Sequence, residues 1–365
     1  MTQRWNSLIM PLYAVITGLI LGGAIMAVAK YNPFAAYAAL YAGAFGNPTA
    51  LGNTLAGAVP LMLAGLGIAV AFRTGLFNIG AEGQYWMGAM AAVWVGYHFA
   101  KLPWILHVPL ALGAAMLAGG LWGGVIPGIT KAFVGAHEVI TTMMLSYIAI
   151  LIAHFMVEKG PMMASGYVPQ SPTVTASATL PPILPSFFLN SNLSYGFVIA
   201  VAAIVIVHIV LFHTTLGYRL RAVGFNARAA RYAGMSVPLY TVLALGLSGV
   251  LAGLAGGAQM LGVDFQLTDT FQSGYGYTAI VVALLARNNP IGVFFASVFF
   301  SALSTGSQVM QIDAGVSGNM TNVITGIIIF FVAADRLYGY WTQKARPRRP
   351  QPVAAVISGD GGSAQ

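Results

Sequence analysis

This sequence predicts an all-α protein that crosses a membrane about ten times, and three observations predict it. Only 7% of its 365 residues are charged while 58% are hydrophobic, with a mean hydropathy of +0.79. Soluble domains carry about 25% charged residues. Runs of roughly 18 or more nearly uncharged residues recur along the chain, the length needed to cross ~30 Å of hydrocarbon. These runs are continuously apolar and rich in Ala, Leu, Gly and Val, unlike the alternating short segments of a β-barrel.

The spans follow in order. Leu8–Ala29 is the first, and its length exceeds the 7–15 apolar residues of a secretory leader, so it is read as uncleaved despite the Ala27-Val28-Ala29 triplet. Leu51–Phe72 is the second, with Pro60 tolerated because neighbouring helices can re-satisfy the freed carbonyl. After the turn at Arg73-Thr74-Gly75 come Asn78–Phe99, Trp104–Ile126 and, past Pro127–Gly135, about His137–Val157. The connection 158–194 is rich in Pro, Ser, Thr and Asn and too polar to span. Tyr195–His213 and Leu239–Leu261 flank an arginine-rich segment, Thr214–Pro238, read as a short loop, helix and loop outside the bilayer. Gly274–Ala286 is a short eighth span, read as re-entrant or broken, and Ile291–Gln311 and Asn319–Ala334 complete ten. Residues 1–341 therefore form one transmembrane domain, and 342–365 a basic, disordered tail.

Charge sets the orientation. With the N-terminus in the cytoplasm, an even number of spans leaves only Lys30, Lys101 and Lys159 of the sixteen lysines and arginines outside. That bias places both termini and the loop 214–238 inside, and the loop 158–194 outside. The formal charge of +8 is thereby explained by membrane orientation, and membrane lipid rather than nucleic acid is the expected surface partner. With no cysteine, disulfides, thiolate metal sites and Fe–S clusters are excluded.

Catalytic signatures fail one by one. No GxxxxGK[ST] phosphate loop occurs. His137-Glu138-Val139-Ile140-Thr141 lacks the second histidine of a zinc protease. The GxS-type matches at Ser248 and Ser317 have no later histidine to act as base. What remains are polar groups inside apolar runs, which default to functional candidates. Asn53, Asn78, Gln84, Ser146, Gln259 and Gln308 are neutral hydrogen-bonders suited to a path for a polyhydroxylated solute. Glu82 and Glu138 fall in the first turns of spans three and five, at the cytoplasmic end, where the helix dipole favours an acid and a structural brace or gate is the simpler reading. Glycine pairs at four-residue spacing, Gly119/Gly123 and Gly249/Gly253 among them, let helix backbones approach closely.

Four segments carry a resemblance. Phe72–Gln84 (FRTGLFNIGAEGQ), Gly135–Met144 (GAHEVITTMM), Leu216–Gly234 (LGYRLRAVGFN and on through AARYAG) and Gly274–Leu285 (GYGYTAIVVALL) followed by Asn289-Pro290 resemble, in order, the permease subunits of bacterial ABC importers for nucleosides and simple sugars. The first two segments look closest to the nucleoside-type branch. Two positions depart from the pattern: Ser146, where an asparagine is expected, and Ala279, where a glycine is usual.

The resemblance implies a type II importer fold in two pseudo-symmetric halves, and a non-catalytic chain that binds no metal and no cofactor. It further implies a cytosolic ABC ATPase that holds ATP and Mg, a second permease, identical or homologous, and an extracytoplasmic substrate-binding protein. Arg219, Arg221, Gly224, Asn226, Arg228, Arg231 and Gly234 are then the residues expected to couple to the ATPase. Arginine suits that role because its planar fork pairs with carboxylates. The alternative is an ion-coupled secondary carrier, which requires acids or unwound helices near mid-depth.

Overall fold

The structure, a computed structural model, describes residues 2–188, 190–269, 271 and 274–333, with side chains described from residue 12 onward. The tail expected to be disordered, 342–365, lies outside the described residues. Among the described residues thirteen helices carry the fold: α1 Thr2–Val28, α2 Pro33–Phe45, α3 Pro48–Arg73, α4 Ala81–His98, α5 Trp104–Val134, α6 Glu138–Glu158, α7 Gly196–His213, α8 Thr215–Phe225, α9 Ala227–Tyr232, α10 Val237–Asp264, α11 Tyr275–Leu285, α12 Pro290–Ala314 and α13 Asn319–Ala333. Among the described residues there is no strand, only the isolated bridges Gln170–Thr268 and Pro182–Ser194.

Six of these helices (α3, α5, α6, α7, α10 and α12) are each long and apolar enough to cross a membrane. Of the other predicted crossings, Leu12–Val28 of α1, α11 and α13 are shorter over the residues whose side chains are described and α4 is more polar, so a count of ten does not follow from length and hydropathy. The sequence reading also needs three corrections. Lys30–Ala50, left unassigned between the first two spans, contains the helix α2, whose start is set by Asn32 accepting the N–H groups of Phe34 and Ala35 with Pro33 at the first turn. Pro127–Gly135, also read as a connection, continues α5 to Val134, the chain reversing only at Gly135 with φ +75°. The arginine segment holds two helices rather than one, because Asn226 ends α8 and caps α9 by accepting the Ala229 N–H.

The centre of the bundle is α3, α4 and α10. α3 is buried over most of its length, and α4 shows almost no exposed side chain. α10 crosses α5 so closely that a Cβ at Gly249 would lie 2.3 Å from the Gly119 carbonyl oxygen, and one at Gly253 2.2 Å from that of Ala115. The four-residue glycine spacing is therefore a backbone contact surface, as expected, since without a hydrophobic drive between helices in lipid such packing supplies much of the attraction.

The loop 158–194 is bonded across one end of this bundle. Ser171 N–H donates to Leu267 O, Val174 N–H to Phe265 O and Leu180 N–H to Leu261 O, while Thr175 Oγ1 donates to Gly96 O. Helices α8 and α9 lie at the other end, where α10 begins.

Candidate functional site

Two helices begin inside the bundle, and their starts organise its polar groups. The first is α4. Asn78, just before it, donates through Nδ2 to Ser248 Oγ at 2.8 Å, a residue some 16 Å along α10 from Val237 at ~1.5 Å per residue. Gly83 N–H donates to Ser146 Oγ at 3.2 Å, and Ser146 stands some 12 Å along α6. The chain from Leu76 to Gly80 thus re-enters the bundle before helix forms. Glu82 is in the first turn of its helix, as the sequence suggested, but that turn lies within the bundle rather than at its cytoplasmic edge, and Glu82 is fully buried.

The second interior start is α11, 11 residues and so about 16 Å long, half of what a crossing needs. Gly274 precedes it with φ +108°, a conformation only glycine adopts without strain. The Glu82 carboxylate closes this start. Its Oε1 accepts the Gly274 N–H at 2.8 Å and the Trp86 indole N–H at 3.1 Å, and its Oε2 accepts the Gly276 N–H at 2.7 Å. Free N–H groups at a helix start favour a negative charge, and here the chain supplies its own. A Cβ at Gly276 would fall 2.3 Å from the Glu82 backbone nitrogen, so the two helix starts touch backbone to backbone.

Around this clamp the amides are paired. Asn78 Nδ2 donates to Gln84 Oε1 at 2.8 Å, and Asn78 Oδ1 accepts from Gln84 Nε2 at 3.1 Å and from the Gly80 N–H at 3.0 Å. Ser146 Oγ donates back to Thr142 O at 3.3 Å. Glu138 forms an ion pair with Lys131 at 2.8 Å across the α5–α6 turn. Four of the eight path candidates (Asn78, Glu82, Gln84 and Ser146) therefore join in one buried lattice, and Glu138 stands apart from it.

The other three, Asn53, Gln259 and Gln308, converge on a cavity of about 320 Å³. That is at the lower end of the ~300–1,000 Å³ of small-molecule sites. Its walls come from α3, the end of α10, the start of α11 and the far half of α12, with Asn192 contributed by the loop 158–194. Asp264 and Tyr275 also line it, and the sequence reading passed over both in this role. The last turn of α10, Met260–Asp264, widens to π-helical hydrogen bonding and ends at Phe265 with φ +58°. That turn brings Asp264 within 3.1 Å of Gln259, whose Nε2 donates to Oδ2. An aspartate five residues beyond a mid-span glutamine was the available signal.

At the opposite end, the arginines divide into two kinds. Arg219 donates to the Tyr240 hydroxyl at 2.9 Å, and Arg221 lies 5.3 Å from the Phe212 ring with its Nε donating to Gly217 O. Arg228 and Arg231 are exposed, flanked by Phe225 and Tyr232, which are 86% and 94% exposed. Asn226 is the cap between the two helices, and Gly234 turns the chain out of α9 with φ +78°. Gly224 is required from within, since a Cβ there would meet the Arg73 carbonyl oxygen at 2.2 Å. Arg73 in turn donates through Nε to Asn288 O at 3.0 Å, in the α11–α12 turn. The exposed pair of helices thus rests on the end of α3, and through Arg73 on α11 and α12, three of the cavity's walls.

A polytopic helical bundle with a polar cavity lined in part by the loop 158–194 and an exposed helical ledge at the other end has the architecture expected of a membrane permease. Residues 50–333 match the family described as branched-chain amino acid transport system / permease component, and the chain belongs to that family. It is 40% identical to the guanosine ABC transporter permease protein NupP of Bacillus subtilis, over 92% of this chain and 95% of that one. It is 36% identical to the nucleoside ABC transporter permease protein NupB of Lactococcus lactis, over 95% and 96%. The glucose ABC transporter permease protein of Haloferax volcanii is 34% identical over 92% and 89%. No solved structure matches the chain.

Proposed function

We infer that this chain is the transmembrane permease subunit of an ATP-driven ABC importer, that its solute is a nucleoside, and that the cavity is the solute's station on the path. The carrying observation is the cavity's chemistry. Amides at Gln259, Gln308 and Asn53 offer both donors and acceptors, Asp264 offers an acceptor for vicinal hydroxyls, and Tyr275 offers an aromatic face. Uncharged, hydroxyl-rich solutes with a planar base need that combination. The names of the relatives support a nucleoside over a simple sugar, two of the three being nucleoside permeases.

Buried Glu82 does not favour ion coupling, because three donors already occupy its carboxylate. Energy enters instead at α8 and α9. A cytosolic ATPase holding ATP and Mg docks on Phe225, Arg228, Arg231 and Tyr232. Arg219, Arg221 and Gly224 hold that ledge to the bundle, so that its movement reaches α3 and the α11–α12 turn. A second permease completes the path, and an extracytoplasmic binding protein delivers solute to the end covered by the loop 158–194. The chain itself is non-catalytic and binds no nucleotide. The fold is that of a type II importer in two pseudo-symmetric halves with both termini in the cytoplasm. The two interior helix starts, at α4 and α11, support such halves.

Proteoliposomes holding the chain with its ATPase, second permease and binding protein test this reading. Guanosine uptake is expected to require ATP on the ATPase side and to fall with Arg228→Glu plus Arg231→Glu, while the bundle stays assembled. Uptake by the chain alone without ATP would instead establish a secondary carrier.

A further inference from the structure

Three ligating side chains meet at the bundle end away from α8 and α9, outside both the lattice and the cavity. His154 and Glu158 stand four residues apart near the end of α6, one turn above the other on the same face. Asp269 reaches them from the segment between α10 and α11, held by its own N–H donating to Pro169 O at 3.1 Å and by the Gln170–Thr268 bridge beside it. One donor atom from each of the three lies within 4.8 Å of the others, and His154 Nδ1 is in direct contact with Asp269 Oδ1. The side chains of His154 and Asp269 are 31% and 37% exposed, and Glu158 is exposed, so the cluster is open to water.

Charge and donor chemistry point the same way. Among the described residues no lysine or arginine pairs with Glu158 or Asp269, so two carboxylates share a single imidazole. A divalent cation balances that set, whereas one protonated histidine balances only half of it. An imidazole with two carboxylates and no thiolate suits zinc and its first-row neighbours, while calcium and magnesium take oxygen ligands alone. Three protein ligands also leave a position for water, the pattern of an accessible site.

We propose that His154, Glu158 and Asp269 bind one divalent transition-metal cation of the zinc class, which clips the end of α6 to the segment leading into α11. The clip bears on the transport machinery through Trp86. Its ring lies 5.5 Å from that of His154 and edge-on to Phe271 at 4.8 Å, and its indole N–H donates to Glu82, the residue that closes the start of α11. A bound cation therefore fixes the approach to α11, and with it Tyr275 on the cavity wall.

Purified full-length protein without a polyhistidine tag, titrated with Zn²⁺ by calorimetry and with Co²⁺ by visible absorption, tests the site. The expected result is one zinc per chain, a Co²⁺ d–d spectrum, and a rise in thermal midpoint on adding zinc. His154→Ala, and separately Glu158→Gln with Asp269→Asn, should weaken binding by about ten-fold or more and remove the Co²⁺ bands. His98→Ala should change none of these. The carboxylate variants lie at an open surface, and their elution by size exclusion reports folding without metal. Wild-type protein that takes up no more zinc than the His154→Ala variant, or a Co²⁺ spectrum unchanged in both variants, would overturn the proposal.

Discussion

Two polar regions sit inside this apolar bundle, built from the same residue types, and they do opposite things. In the lattice around the start of α4, Asn78 bonds Gln84 and Ser248, Ser146 bonds the backbone, and Glu82 bonds the backbone and Trp86. In the cavity, Asn53, Gln259, Gln308 and Ser304 face space bounded by five parts of the chain. An amide in the membrane interior is thus neither structural nor functional by identity; its partners decide. The lattice lets two helices start inside the bundle without stranding backbone groups, which lipid would penalise heavily. The cavity leaves hydrogen-bonding capacity for a solute.

That contrast can be broken from the lattice side first. Glu82→Ala leaves the Gly274 and Gly276 N–H groups buried without an acceptor. A loss of about 3 kcal/mol or more is expected, read as a lower thermal midpoint in detergent together with lost uptake. Glu82→Gln keeps an acceptor oxygen and should restore part of that loss. Next in size is Asn78→Leu, which strands Gln84 and Ser248 and should cost about 2 kcal/mol in the same measurement. If either lattice variant instead weakened solute binding at unchanged stability, the two regions would have exchanged roles.

On the cavity side the effects should move from stability to affinity. Gln259→Ala combined with Gln308→Ala is expected to weaken guanosine transport by about ten-fold, one or two lost hydrogen bonds, with the thermal midpoint unchanged. Asn53→Ala should do least. Its Oδ1 already accepts the Asn192 N–H at 3.0 Å, so a two- to three-fold change, about 0.5 kcal/mol, is expected in the same uptake measurement.

Sequence alone carried the class of fold, because Leu/Ala/Gly runs and the lysine and arginine bias follow directly from the physics of a bilayer. It missed α2 because a 13-residue apolar stretch between two turns is too short to register as a crossing. It misplaced Glu82 in depth for a different reason. Residues 76–80 enter the bundle as non-helical chain, and that path is fixed by contacts with α6 and α10 far away in sequence. The convergence of Asn53, Gln259 and Gln308 was equally a tertiary fact, although each residue was identifiable as a polar group within an apolar run. Asp264 was visible in the sequence, but nothing local shows the π-helical turn that brings it to Gln259. Gly224 was read as serving the turn or a partner's approach, and the sequence did not show that the Arg73–Thr74 backbone of the same chain leaves no room for a side chain there.

Because the chain contains no cysteine, a single introduced thiol reports cleanly on its own surroundings. Ser304→Cys in the cavity wall and Ser248→Cys in the lattice should be compared in the assembled, nucleotide-free importer, using a small water-soluble thiol reagent with and without guanosine. The account predicts rapid modification at position 304, slowed by guanosine at least several-fold, and none at position 248 in either condition. Modification at 304 that guanosine leaves unchanged, or a thiol at 248 that reacts and is protected, would contradict the assignment of the cavity as the solute's path.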